Sequence, residues 1–488
     1  MSRRLRVAIV ALVGVAAIGY VNFGFFHAVP RQQIHYWDAF HYFVGAKYLP
    51  ELGYARLYEA TYVAGRELGA FAGIERLRDL PTYQARDVRS IDAAAVRGRF
   101  SDARWRAFKQ DLLFFGPRIP DWRRLLMDHG YNDPPPRALL LHALVRWLPA
   151  TPLTLAAVTS IDYVLIAGAL TLAARAFGPV AGALTAASLL LSFFARFDYV
   201  GGSIVRWDWI AAVIAGAAAF ARGAGATAGG LFAYAAIARI FPLLLFVPLV
   251  VKWCQAHRAR ATDRTLARCL LAATLVMVTA AAVVAVAAEP LSVGEFVAKI
   301  RRHGDSAFTN HVGLGTWLVF HAAPWNVYAD GMRSVDPIAL AAARPAGWIV
   351  PLVSGLYLAA ALPLILRARP LESMMYAVPL IWCAVSPAGY YYSFLVLLVL
   401  LPWSAGAADA IRLLQMALLS VLGAIAYGLE IYSADSLPLF HRASGLLALY
   451  FVVWLALEHV RRPAPDRARH PARDGTSASA AVPAIPKI

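Results

Sequence analysis

Apolar runs separated by short polar connectors set the pattern of this chain. A helix that crosses a bilayer needs about 20 apolar residues. After the basic start Met1–Arg6, residues 7–26 form one such run. Further apolar runs cover 135–149, 153–174, 177–195, 207–222, 226–250, 267–288, 346–366, 371–387, 389–404, 408–428 and 442–460. The run 135–149 is short and contains His142 and Arg146. The pattern predicts an all-α polytopic membrane protein with about twelve transmembrane helices. The expected organisation is a first helix over 1–26, an extracytoplasmic segment 27–134, helices 2–7 over 135–288, a second extracytoplasmic segment 289–345, and helices 8–12 over 346–462. The Pro-, Ala-, Arg- and Ser-rich tail 463–488 has no packable apolar face and is predicted to be disordered.

Composition agrees. Hydrophobic residues make up 60% and charged residues 15% of the chain, against about 25% charged in an ordinary soluble domain. Mean hydropathy is +0.57. A soluble enzyme and a disulfide scaffold are excluded. The net charge of +17 would suggest nucleic acid in a soluble protein. Here basic residues cluster beside apolar runs, as the positive-inside rule requires, so no nucleic-acid partner is expected. Arg3, Arg4 and Arg6 place the N-terminus inside, and alternation then puts Lys252, Arg258, Arg260, Arg264, Arg268, Arg367, Arg369 and Arg412 inside. On this count Arg175 and Arg222 fall in outer connectors. The high Ala and Arg content fits a GC-rich bacterial genome. Cys254, Cys269 and Cys383 lie in or near apolar runs, where no disulfide is expected.

The candidate chemistry lies between the runs. His35-Tyr36-Trp37-Asp38-Ala39-Phe40-His41-Tyr42 opens the first outer segment. If it is helical, His35, Asp38, His41 and Tyr42 share a face. A carboxylate among aromatic rings at a membrane surface has a tunable basicity suited to a general base, and aromatic faces can stack on a sugar. A salt-bridged or capping Asp is the plainer alternative. Tyr131-Asn132-Asp133-Pro134-Pro135 precedes a helix that Asp133 could cap. Arg239, followed by Pro242, lies inside an apolar run; an intramembrane Arg needs either an anionic ligand or a partner carboxylate. Arg301, Arg302, Asn310 and His311 form a polar, cation-bearing group in the second outer segment, suited to phosphate. Ser386-Pro387-Ala388-Gly389-Tyr390 breaks two late helices.

Taken in order, these stretches resemble the GT-C polytopic glycosyltransferases, and most closely the family 87 type, which includes polyprenyl-phosphomannose-dependent mannosyltransferases. The resemblance covers residues 1–405. It implies that Asp38 is the catalytic base. It also implies that Tyr131, Pro134 and Pro135 match the entry to helix 2, that Arg239 and Pro242 match a basic residue and proline of a middle helix, and that Asn310 and His311 help to hold the donor phosphate. The chain departs from the family in a long extra polar stretch between Tyr58 and Tyr131, read as an acceptor-recognition insert, and in Gly201-Gly202-Ser203, where a Gly-Gln pair is common.

The expectation that follows is a bacterial inner-membrane enzyme moving a hexose or pentose, mannose first among them. The donor is a polyprenyl-phosphate sugar, and the acceptor is a lipid or glycan on the outer face. Asp38 is the base of an inverting displacement. Arg239, His311, Arg301 and Arg302 offset the leaving phosphate's charge. His41, Tyr42, Tyr131, Asn310 and Tyr390 contact substrate. No metal and no cofactor are expected; His35, Asp38 and His41 make a weak ligand set. The rivals are a transporter or lipid flippase, and a structural subunit of an envelope assembly. No internal repeat supports a carrier.

Overall fold

The computed structural model describes residues 1–27, 32–261, 263–287, 293–305, 310–322, 347–406, 408–432 and 436–461. The expected disordered tail and 323–346 of the second outer segment lie outside the described residues. The protein is mostly helical. Its helices are α1 (Arg3–Tyr20), α2 (Leu57–Glu67), α3 (Asp102–Phe115), α4 (Pro135–Val145), α5 (Pro152–Phe177), α6 (Pro179–Leu190), α7 (Asp208–Ala221) and α8 (Gly225–Arg239). They continue with α9 (Phe246–Arg258), α10 (Arg264–Val286), α11 (Val293–Asp305), α12 (Leu314–Ala322), α13 (Ile349–Arg367), α14 (Ala377–Ala384), α15 (Ala410–Tyr432) and α16 (Ser436–Val460). Among the described residues the only paired strands are β1 (Arg76–Arg78) and β2 (Ala85–Asp87), antiparallel with Arg76 opposite Asp87.

Among the described residues, five helices are long and apolar enough to cross a membrane: α5, α10, α13, and the greater parts of α15 and α16. A sixth span is available if α6 and the bent continuation Phe193–Val200 count as one. The chain is therefore a helical membrane protein. Leu, Val and Ile side chains stay exposed along these helices, such as Leu271, Leu275 and Val278 of α10. That surface suits lipid, because acyl chains are as apolar as the side chains. Small residues bring helices together: a Cβ on Gly229 would lie 2.0 Å from the Cys269 carbonyl oxygen, and one on Gly225 would lie 2.2 Å from that of Thr265. Only glycine lets α8 and α10 approach this closely.

The second expected span is corrected. Eleven residues of α4 reach only about 16 Å at a rise of 1.5 Å per residue. The helix and the turn after it are tied to residues 46 and 111: His142 Nδ1 is 2.8 Å from the Ala46 carbonyl, and the Ala150 amide donates to Asp111 at 3.0 Å. The chain then enters the bundle through α5. One consequence concerns Arg175 and Arg222. Arg222 donates to the Arg175 carbonyl at 3.0 Å, and it follows the far end of α7, whose near end lies beside the Asp38 region. Both arginines thus sit at the end of the bundle away from Asp38, not in connectors on its side.

The stretch 57–130 folds into a compact layer over the bundle. Phe40, Tyr48, Leu57, Tyr58, Trp105, Phe108 and Leu112 form its buried core. Asp111 is its polar anchor: it accepts from Lys47 Nζ at 2.6 Å, from the Tyr48 hydroxyl at 2.7 Å and from the Ala150 amide. A buried carboxylate requires such partners. At the opposite end of the bundle, buried Arg412 pairs with Glu372, tying the helix Pro370–Ser373 to α15.

Candidate active site

A cavity of about 670 Å³ lies where the outer layer meets the bundle. Asp38, His41, Tyr42, Arg239, Asn310, His311 and Tyr390, proposed from four stretches spread over about 350 residues of chain, all line it. Local structure explains how. His35 caps the helix Tyr36–Ala39, its Nδ1 accepting from the Asp38 amide at 3.0 Å. The next five residues, Phe40–Val44, widen into a π-turn, a geometry common at functional sites. Trp37, Asp38, His41 and Tyr42 then share the cavity wall, while His35 is not among its lining residues. Across from them, the backbone around His311 is stitched to the late helix break. His311 bridges Ala388, the Val312 amide donates to the Pro387 carbonyl at 3.0 Å, and the Gly389 amide donates to the Asn310 carbonyl at 2.7 Å.

Two groups of polar side chains face the cavity. The first is cationic. Arg206 is buried, with Nε 3.5 Å from Asp38 Oδ2 and Nη2 donating to the Tyr390 hydroxyl at 3.0 Å. Its guanidinium lies 4.1 Å from the Tyr42 ring centre. Arg239 joins it from the end of α8. Arg239 Nη1 donates to Asp133 Oδ1 at 2.6 Å, while its Nε and Nη2 have no hydrogen-bond partner among the described residues. Arg239 thus has a partner carboxylate and also lines the cavity.

Asp133 is not the helix cap expected. Pro134 occupies the N-cap of α4, and no side chain caps it. Asp133 is completely buried between Arg137 and Arg239. Arg137 Nε in turn donates to Asp208 at 3.0 Å, as does the Tyr234 hydroxyl at 2.6 Å. Two cations and two carboxylates thus balance inside the bundle.

The second group is imidazole-rich. His129, His303 and His311 line the cavity, with ring centres 6.1 Å (His129 to His303) and 5.4 Å (His303 to His311) apart. Asp128 accepts from Trp37 Nε1 at 2.7 Å and from the His129 amide at 2.9 Å. Burial alone would raise the Asp128 carboxyl; its hydrogen bonds from His129 and Trp37 and the nearby His41 outweigh that and hold it well below the usual carboxylate range. Burial pushes His311 down to about 3, helped by neighbouring His129. Burial also lowers His129 and His303. These imidazoles are neutral near pH 7. His311 therefore offers a hydrogen bond to a ligand and not the positive charge expected of it.

Three expected contacts fall elsewhere. Arg301 and Arg302 are exposed and do not line the cavity. The inward face of α11 carries Phe296, Lys299, Ile300 and His303 at helical spacing, which turns 301 and 302 outward. Lys299 is buried and donates to the carbonyls of Tyr131 at 2.9 Å and Tyr54 at 3.2 Å, fastening α11 over the first outer segment. Burial brings its ammonium down to about 7. Tyr131 sits behind the wall, stacked on Tyr54 and edge-on to Tyr42; it supports Tyr42 and does not reach the cavity. The sequence pattern assigned no role to Arg206 or Asp128. For Arg206 the signal was an arginine beside two tryptophans at a helix mouth.

No protein-family model and no curated protein sequence matches this chain.

Proposed function

We propose that this protein is a membrane glycosyltransferase of the GT-C kind, which moves a sugar from a polyprenyl-phosphate donor to a lipid or glycan acceptor. The observation that carries the reading is the amphiphilic character of this cavity. One part of its wall presents Asp38, Asp128, Arg206, Arg239 and the imidazoles. Another presents Ile240, Phe241, Leu318, Val319 and Val350, from segments packed at the bundle's edge. Ile240 is itself 44% exposed. A phosphate on a hydrocarbon chain needs both surfaces at once.

The chain reads as about twelve passes: α1, α5, α6 with its bent continuation, α7, α8, the stretch ending in α9, α10, α13, the stretch ending in α14, Gly389–Ala405, α15 and α16. With α4 left outside, the N-terminal arginines, Arg175, Arg222 and the 252–268 basic cluster share one side. That distribution obeys the positive-inside rule better than the first reading. The cavity then opens on the outer side of a bacterial cytoplasmic membrane.

Asp38 accepts the proton of an acceptor hydroxyl as its oxygen attacks the anomeric carbon. The bond from that carbon to the phosphate oxygen breaks, and its electron pair leaves with the phosphate. A single displacement inverts the centre. Arg239 offsets the charge that grows on the phosphate. Neutral His311 and Asn310 orient it, and Trp37, Tyr42 and Tyr390 offer rings and a hydroxyl to the sugar. The reading is tested in cells: mass spectrometry of glycolipids and cell-wall glycans from a deletion strain should show a missing sugar residue, restored by the wild-type gene and not by Asp38→Asn. An unchanged glycan profile in the deletion strain would refute it.

A further inference from the structure

Arg206 is held in place from behind. Its backbone amide donates to Asp162 Oδ2 at 2.7 Å, and the next amide, of Trp207, donates to Asp162 Oδ1 at 3.0 Å. From this fixed backbone the guanidinium reaches into the cavity wall between the rings of Tyr42 and Tyr390, 4.1 and 5.4 Å from their centres. A guanidinium has five N–H donors. The hydrogen bond to Tyr390 uses one of them; Nε and Nη1 have no hydrogen-bond partner among the described residues. Among the described residues the nearest carboxylate oxygen, Asp38 Oδ2, is 3.5 Å away and has no hydrogen-bond partner either. The separation is that of a loose ion pair and beyond a well-formed hydrogen bond.

A buried guanidinium with unused donors costs free energy unless an anion takes them. Arg239 differs, since Asp133 engages it directly at 2.6 Å. Among the described ion pairs, Arg206 has Asp38 alone.

We propose that Arg206 is the receptor for the lipid phosphate, and that Asp38 and the phosphate compete for it. The proposal rests on the reading of the ligand as a polyprenyl phosphate. A phosphate presents paired oxygens that match the guanidinium fork. Its arrival draws Arg206 away from Asp38, so that carboxylate becomes free to accept a proton only once the donor is in place. Two groups competing for one cation are linked: removing the charge of one strengthens binding of the other. Asp38 therefore weakens phosphate binding while it serves the chemistry.

The test uses the full chain in lipid nanodiscs, with a polyprenyl monophosphate as probe and the neutral polyprenol of equal length as control. Binding is read by intrinsic tryptophan fluorescence and by phosphorus NMR. The wild type should bind the phosphate more tightly than the alcohol. Arg206→Gln should weaken phosphate binding by about tenfold or more, and Arg206→Lys by less, because lysine keeps the charge and loses the fork. Asp38→Asn should tighten it by about three- to tenfold, although the same substitution removes sugar transfer. In an Arg206→Gln background, Asp38→Asn should change nothing. Unaltered or weaker binding in Asp38→Asn would overturn the proposal, as would a gain that survives loss of Arg206. Equal affinity for phosphate and alcohol in the wild type would overturn it too. Absence of sugar transfer alongside the full binding pattern would sink the glycosyltransferase reading and leave the phosphate receptor standing.

Discussion

Asp133→Asn is the sharpest probe of how the site is built. Asp133 has no exposed surface, and its two oxygens serve two different arginines, Arg137 and Arg239. With Asp208 the group holds two positive and two negative charges. Asparagine leaves two buried guanidiniums facing one carboxylate, and its amide N–H₂ turns toward one of them. Breaking a buried pair by removing one partner costs about 3–5 kcal/mol, because a charge is left uncompensated. At about 1.4 kcal/mol per decade that is two to three and a half orders of magnitude in the folding equilibrium. Denaturant titration in mixed micelles, followed by tryptophan fluorescence, measures the loss. Arg239→Gln in the Asp133→Asn background should then cost less than it does in the wild type. A coupling of about 1–3 kcal/mol is expected for residues in one network. Stability within about 0.5 kcal/mol of wild type, or strict additivity of the two changes, would refute the network.

Further outcomes follow from the same geometry. His311 is held at about 3 when folded and returns toward about 6.5 when unfolded, so between those values the unfolded chain binds more protons. Stability should therefore fall as pH drops from about 6.5 toward 3, and His311→Gln should flatten part of that slope in unfolding titrations at a series of pH values. Arg301→Ala, on the exposed face of α11, should change sugar transfer by less than about twofold in membranes, whereas Arg239→Gln should lower it by about two orders of magnitude or more. Gly202 has φ +67°, and a Cβ there would lie 1.7 Å from the Gln33 carbonyl oxygen. Gly202→Ala should lower the thermal midpoint and displace the 201–206 turn that presents Arg206, read as weaker phosphate binding. Cysteines replacing Asp198 and Arg222, both exposed, should react with impermeant thiol reagents from opposite sides of the membrane; labelling from the same side would contradict the arrangement of passes.

Polar residues in a chain this apolar announce themselves, and that made Asp38, Arg239, His311 and Tyr390 legible without coordinates. Each is costly at or near membrane depth unless it faces a partner or a cavity. What sequence reasoning lacked was register and depth. The run 135–149 has the hydropathy of a short span, but its two entering prolines, its 11 helical residues and the bond from His142 to Ala46 tie it to the first polar segment. On the proposed arrangement of passes, losing that one inverts the sides assigned to Arg175 and Arg222. The face of α11 depends on which residues pack; Phe296 and Ile300 were the apolar clues that 301 and 302 point away. The charge state of His311 depends on burial among other imidazoles, which spacing along the chain does not reveal. Arg206 meets Tyr390, 184 residues further on, so its place in the site is purely tertiary.

The central claim is that a carboxylate at Asp38 deprotonates an acceptor beside a lipid phosphate. It is tested most directly with purified protein in nanodiscs, a radiolabelled polyprenyl-phosphate mannose, and a membrane-glycan extract as acceptor. Wild-type protein should release polyprenyl phosphate and form a labelled product whose new linkage is inverted relative to the donor. Asp38→Asn should bind the donor and form no product. Product formation by Asp38→Asn at the wild-type rate, or a product that retains the donor's anomeric configuration, would contradict it.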